Sequence, residues 1–174
     1  MTWQIEAMSQ AGQRVDPRRY QLVPRTLVFA FRQGRVLLQQ VPENRGAWSG
    51  LWNGVGGHVE QGESPAKAAQ REFYEETGLE PAGLRLAGTI TVDVGTSPGI
   101  GISVYAALVD QSSVASGVEG ELRWFSLEEA ALAPTVEDLP TLLPRVARCL
   151  EGAPPFSAVY SYDASRKLRI EIDS

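Results

Sequence analysis

The segment Gly57–Leu79 constrains this chain more than any other. It reads GHVEQGESPAKAAQREFYEETGL, a glycine-rich turn that runs into a helix. Ser64 is the expected N-cap, Pro65 suits the first helical position, and Gly78 stops the helix after Thr77. Ala66, Ala69 and Phe73 form a small apolar face with which the helix can pack on a sheet. Glu72, Glu75 and Glu76 fall at i, i+3 and i+4 and share another face. Like charges crowded in this way cost stability unless divalent cations neutralise them, and hard cations prefer oxygen ligands of this kind. The pattern predicts a metal site suited to phosphate chemistry.

The 174 residues suffice for one domain with a real core, expected over residues 21–174 behind a polar arm at 1–20. Apolar content of 43% and charged content of 21% are ordinary for a globular protein. The formal net charge of -5 argues against long nucleic acid as a partner. It leaves room for a single nucleotide brought in with Mg²⁺, because the ion inverts the local field. Cys149 is the sole cysteine, so an intramolecular disulfide and a cysteine zinc cluster are excluded. The start, MTWQIEAMSQ, lacks the parts of a signal peptide, and no apolar run has the length of a membrane span. The expectation is a cytoplasmic protein with no membrane partner, for which a homodimer is allowed.

Thr26–Phe31 and Val36–Val41 flank Arg32-Gln33-Gly34-Arg35, a hairpin signal. A glycine- and tryptophan-bearing loop at 42–54 follows, then Gly54–Glu60 as a short strand. Leu84–Val94, Ile100–Val109 and Leu122–Leu127 read as strands, with Glu128–Leu132 as a helical turn. Asp138–Leu150 reads as a second long helix, with Pro144 standing against perfect regularity. Phe156, Val159 and Tyr160, then Leu168, Ile170 and Ile172, suggest a terminal hairpin. Strands and helices alternate without a βαβ repeat, which favours a mixed sheet with helices on its faces.

In Gly57–Leu79, the positions Gly57, Glu63, Arg71, Glu72, Phe73, Glu75, Glu76, Gly78 and Leu79 match the Nudix hydrolase signature. The resemblance implies an α/β/α sandwich with a mixed central sheet. It also implies that Glu72, Glu75 and Glu76, with the backbone carbonyl of Gly56, hold Mg²⁺, for which Mn²⁺ can substitute. Such ions neutralise phosphate oxygens and lower the pKa of bound water. Arg71 is expected to pair with a glutamate of the signature, and the resemblance suggests Glu63. Gly56 and Gly57 allow close approach of backbone to the site. Val118–Phe125 resembles the family segment in which an acidic loop precedes a Trp-Phe strand. There Glu119 is the first candidate for a further metal ligand or general base and Glu121 the second, against a plain turn with two solvated acids.

Ser49–Gly57 is similar to the segment preceding the signature in the 8-oxo-dGTP diphosphatase branch, notably its mammalian-type members. That resemblance implies hydrolysis of a nucleoside triphosphate to NMP and pyrophosphate, with a purine substrate such as 8-oxo-dGTP. Asn53, which offers both donor and acceptor, reads as a contact to the base or as an Asn-Gly turn. Trp48 reads as a stacking partner or a loop anchor, and His58, the only histidine, as a phosphate contact or a strand residue. Thr26 and Gln40 fall at pocket walls by the same resemblance. Glu137 and Asp138 correspond to an acidic pair that reads the base, or they simply start a helix, where acids are favoured. The tryptophan that surrounds this pair in mammalian-type members is absent here. ADP-ribose, dinucleoside polyphosphates and other nucleoside diphosphate derivatives remain open as substrates. More remote are an isoprenoid diphosphate substrate and a non-catalytic nucleotide sensor, which would usually have lost part of the carboxylate set.

Overall fold

The computed structural model describes residues 16–43, 46–111 and 120–173. The arm expected at 1–20 therefore lies mostly outside the described residues. Chain order is β1 (Leu22–Arg32), β2 (Arg35–Gln40), a 3-10 turn (Gly46–Trp48), β3 (Trp52–Asn53) and α1 (Pro65–Thr77). Then come β4 (Ala82–Val92), β5 (Gly99–Leu108), β6 (Leu122–Ser126), α2 (Leu127–Leu132), α3 (Leu139–Leu150), β7 (Phe156–Tyr162) and β8 (Leu168–Asp173). The strands form one mixed sheet in the order β3-β2-β1-β5-β4-β7-β8, with β6 pairing on β2. β1 runs parallel to β5 and β4 parallel to β7, while the remaining pairs are antiparallel.

Alternation along the strands builds two apolar layers. Val28, Ala30, Leu37, Val55 and Tyr105 pack with Ala69, Phe73 and Leu79 beneath α1. Phe29, Ile90, Val104 and Tyr160 pack with Leu139, Leu142 and Val146 of α3 on the other face. The result is the expected α/β/α sandwich. The β1–β2 hairpin turns through Gln33 (φ 49) and Gly34 (φ 73), two left-handed residues whose twist matches the strands they join.

Local chemistry sets the helix ends. The Ser64 side chain accepts from the Lys67 N–H at 3.3 Å, and Gly78 (φ 70) closes α1 by donating to Tyr74 O at 2.8 Å. α2 carries a full capping box between Ser126 and Glu129. Pro144 is accommodated inside α3.

Several expectations are corrected. Gly54–Glu60 is not a strand: Val55 bridges Val28 and His58 bridges Arg25, with no ladder between. In α1 Ala68 is buried and Ala66 is exposed, because a helix's first turn buries whichever side its partner surface still reaches. In β7 it is Ala158, not Val159, that points into the core.

The feature that positions the site is a wedge. β1 and β2 pair only near their turn, through Ala30, Phe31 and Arg32. Beyond that point they part, and the chain from Trp52 to His58 fills the gap. Trp52 and Asn53 pair with Gln40 and Gln39 of β2, while Val55 and His58 bridge to β1. A cleft opens where the strands separate.

Candidate active site

The cleft has a volume of about 500 Å³ and contains most of the candidate residues. Thr26, Trp48, Asn53, Gly56, Gly57, His58, Glu72, Glu76, Glu137 and Asp138 all line it. They come from six separate stretches of chain, so the tertiary fold alone assembles them.

α1 delivers its carboxylates unequally. With Phe73 at the centre of the packed face, helical geometry places Glu76 about 60°, Glu72 about 100° and Glu75 about 160° around the axis. Accordingly Glu72 and Glu76 reach the cleft and are half-buried, while the Glu75 side chain is 57% exposed and turns to Arg71. Glu72 lies directly over Gly57, where a Cβ would overlap its carboxylate. Arg71 ties the arrangement together. Its Nε and Nη2 donate to the two oxygens of Glu63 at 3.0 and 2.9 Å. Its Nη1 donates to Glu72 at 2.8 Å and Glu75 at 3.2 Å, and Nη2 also reaches His58 O at 3.1 Å. The Arg71 guanidinium holds the Glu63 carboxyl below its usual pKa, helped by the Glu60 N–H. The Arg71 pKa is raised in turn, first by Glu63 and then by Glu72.

Among the described residues, no three His, Cys, Asp or Glu side chains converge closely enough to hold a metal ion as they stand. The donor set nevertheless fits a hard cation. Glu72 and Glu76 face one cleft from successive turns, and the Gly56 backbone sits beside them. The Val55 and Gly57 carbonyls accept from Val28 and Thr26, whereas the Gly56 carbonyl takes no part in that pairing.

The far end of the cleft is apolar, lined by Leu27, Ile90, Val92, Ile102, Val136 and Leu168. Asn53 and Asp138 supply its polar groups. The Asn53 Oδ1 accepts from the Gly54 N–H at 2.8 Å, which leaves its amide N–H groups to donate. Asp138 precedes α3, yet its side chain caps no helix N–H. It accepts a hydrogen bond from the Tyr160 hydroxyl instead, and burial pushes its pKa up, with the Glu137 charge adding to the effect. Burial beside that carboxylate raises the Tyr160 pKa as well.

This has a stability consequence of definite sign. A carboxyl with a raised native pKa favours folding below its unfolded value of about 3.9, and this contribution is lost as pH rises through the native value. Asp138→Asn removes the titration. The melting temperature of the variant relative to wild type is therefore expected to rise between pH 4 and pH 8. A difference that stays constant across that range would show that Asp138 does not carry the shift.

Other candidates lie elsewhere. Gln40 is not part of the lining: its Nε2 donates to Gly50 O at 3.0 Å, and Gln39 lines the cleft in its place. Successive strand residues face opposite ways, so a shift of one position exchanges them. Glu63, Arg71 and Glu75 stand behind the cleft wall, and Gly78 lies outside the cleft, where it ends α1. Glu121 is exposed and outside the lining, its carbonyl accepting from Gln40 N at 2.8 Å. Glu119 lies outside the described residues. Sequence reasoning missed Arg25, Gln39 and Tyr160. Tyr160 was visible only as a core residue of a hairpin, and nothing in its spacing pairs it with Asp138.

Comparison with known proteins agrees with this architecture. The family model described as the NUDIX domain matches residues 21–146. The oxidized purine nucleoside triphosphate hydrolase of Mus musculus is 32% identical over 129 residues, covering 71% of this chain and 81% of that protein. Its Danio rerio counterpart is 34% identical over 105 residues. That match covers 60% of this chain and, at 66%, just under two thirds of the fish protein. The crystal structure of the mutator MutT protein from Bacillus halodurans superposes with a TM-score of 0.70 at 23% identity, covering 87% of this chain and 98% of that one.

Proposed function

Because this chain belongs to the Nudix hydrolase family, we propose that it hydrolyses a purine nucleoside triphosphate to the monophosphate and pyrophosphate, with 8-oxo-dGTP as the leading candidate. The observation that carries this reading is the composition of the cleft that holds Glu72 and Glu76. One end offers Glu72, Glu76 and the Gly56 carbonyl, and the other offers Asn53 and the Asp138–Tyr160 pair within apolar walls. A volume of about 500 Å³ suits a nucleotide. The oxidized purine triphosphate hydrolases that resemble this chain support the same choice of substrate. They also favour a role in clearing the nucleotide pool, which would place the protein in the cytoplasm with its substrate.

Nudix hydrolases use divalent ions, and here we assign Mg²⁺, with Mn²⁺ as a substitute. When bound, the ion neutralises phosphate charge and acidifies a coordinated water. Glu72, Glu76 and Gly56 would hold it, with Glu75 joining on release from Arg71. Arg71 and Glu63 keep the Glu72 carboxylate aimed while the site is loaded. The base would enter the apolar end. Asp138 presents its carboxyl oxygens, with a pKa pushed up by burial, and Asn53 adds N–H donors. Together they span an edge of alternating acceptors and donors, as an oxidised purine offers. Trp48, 46% exposed at the rim, would close over the ring. Glu119 remains our first candidate for a further ligand or base from outside α1. Glu121, exposed and away from the cleft, is the weaker one.

The test is a substrate panel at equal concentration: 8-oxo-dGTP, dGTP, other NTPs, ADP-ribose and a dinucleoside polyphosphate, each with Mg²⁺ and with Mn²⁺. The expected order puts 8-oxo-dGTP first. Equal kcat/KM for 8-oxo-dGTP and dCTP would rule out purine readout. Asn53→Ala should then cost about 1–3 kcal/mol in transition-state binding, and more for the preferred base than for a poor one. The same loss on every nucleotide would reduce Asn53 to a shaper of its loop.

A further inference from the structure

We infer that Arg25 belongs to the base end of the cleft and reads the oxygen that oxidation adds at C8 of a purine. Sheet register fixes where it stands. Leu27 and Phe29, two and four residues along β1, pack in the layer beneath α3, whereas Val28 and Ala30 pack in the layer beneath α1. Alternation therefore places Arg25 on the α3 face, opposite to Gly57 and Glu72. Arg25 pairs with Ile102 of β5, Ile102 with Ile90 of β4, and Ile90 with Ala158 of β7. In the next row Ile100 pairs with Val92, and Val92 with Tyr160. Ile90, Val92, Ile100 and Ile102 thus pave an apolar floor, and all four line the cleft. Arg25 stands at the β1 side of this floor. Asp138 and its partner Tyr160 stand at the β7 side, three strand spacings or about 14 Å away.

Arg25 lines the same chamber as Glu137 and Asp138, yet among the described residues it takes part in no ion pair. Its Nε is buried and has no hydrogen-bond partner in the protein. A guanidinium carries five donors, and leaving a buried one unmet costs stability, so folding alone gives no reason for an arginine here. A cation and a carboxyl group held apart across an apolar floor suit a flat ligand with acceptors at one end and donors at the other. A guanine-type ring laid on the floor is such a ligand. With its N1–H and amino group toward the Asp138 oxygens, its C8 end points toward β1. In guanine the tip of that end is a C–H, with N7 as an acceptor to one side. In 8-oxoguanine the tip is a carbonyl oxygen, and N7 has turned from acceptor to donor. Arginine only donates, so the C8 oxygen is the acceptor it meets there. A charged donor makes a stronger hydrogen bond than a neutral one, and exclusion of water strengthens it further. Arg25 thereby separates the oxidised purine from the ordinary one.

This assignment rests on the purine nucleoside triphosphate reading above, and one set of measurements separates the two. The monophosphates 8-oxo-dGMP, dGMP and dCMP, and inorganic triphosphate, are titrated calorimetrically with Mg²⁺ into wild type, Arg25→Met and Arg25→Lys. Wild type should bind 8-oxo-dGMP more tightly than dGMP, and dGMP more tightly than dCMP. Arg25→Met should weaken 8-oxo-dGMP roughly ten- to hundredfold, and dGMP and inorganic triphosphate by no more than about twofold. Arg25→Lys should fall between, since it keeps a charged donor and loses the planar guanidinium. The unliganded Arg25→Met protein should melt no lower than wild type, because it removes a buried unmet donor. A preference for 8-oxo-dGMP over dGMP that survives in Arg25→Met overturns this inference alone, as does an equal loss on dGMP or on inorganic triphosphate. A lowered melting temperature with loss of every ligand makes Arg25 structural and overturns it too. A wild type that binds neither purine nucleotide more tightly than dCMP overturns the proposed substrate itself.

Discussion

Gly57→Ala is expected to remove most turnover from a protein that still folds, whereas Gly56→Ala is expected to damage the fold itself. The two glycines are adjacent, and their surroundings explain the difference. A Cβ on Gly57 would overlap the Glu72 carboxylate, the far end of a flexible side chain. Displacing it costs about 0.5–1.5 kcal/mol of rotamer strain. It also moves a proposed metal ligand out of place, for which a rate loss of about 10²-fold or more is appropriate. A Cβ on Gly56 would overlap the Thr26 carbonyl and come within 2.9 Å of Leu27 Cα, and neither backbone atom can yield cheaply. Overpacking of this kind costs about 1–3 kcal/mol, equivalent to a drop of roughly 2–10 °C in melting temperature for a chain of this size. Thermal melts and steady-state kinetics on both variants check the pair. Wild-type turnover in Gly57→Ala would mean that Glu72 does not work where it is found. Wild-type melting in Gly56→Ala would mean that the wedge does not pack so closely on β1.

Glu76→Gln should lower kcat by about 10²–10⁴-fold with the fold intact. Glutamine keeps the shape and loses the charge, so it cannot balance a cation in the cleft. Glu72→Gln should behave alike, since both side chains line the cleft. Glu75→Gln also tests a movement. Glu75 is paired with Arg71 at 3.2 Å and lies outside the lining. A loss of comparable size there is expected if it leaves Arg71 to join the loaded site. Full activity of Glu76→Gln at ordinary Mg²⁺ would remove the catalytic assignment of α1.

The contrast between local and assembled features explains what could be read beforehand. Ser64, Pro65 and Gly78 bounded α1 correctly because caps and breakers act on their own backbone neighbours. The pairing of Arg71 with Glu63 was expected from family resemblance, and the two are bound by parallel hydrogen bonds from Nε and Nη2. Periodicity also grouped the three carboxylates, yet it treated them as equivalent. Where each one points depends on the orientation of α1 over the sheet, which is set by Phe73 and Ala69 meeting Val28 and Val55. Gln40 and Gln39 show the same dependence in a strand: the choice between them rests on register with β3 and β6.

The sequence by itself determined the carboxylate-bearing helix, the family and the class of chemistry, because those reside in one continuous segment whose spacing carries its own geometry. The tertiary structure decided everything that requires two distant segments to meet. The parting of β1 and β2, the wedge of Trp52–His58 between them, the burial of Asp138 against Tyr160 and the unpaired Arg25 at the cleft wall are of this kind. Each depends on strand register and on solvent exclusion, which are properties of the packed whole, and no local pattern of residues encodes them.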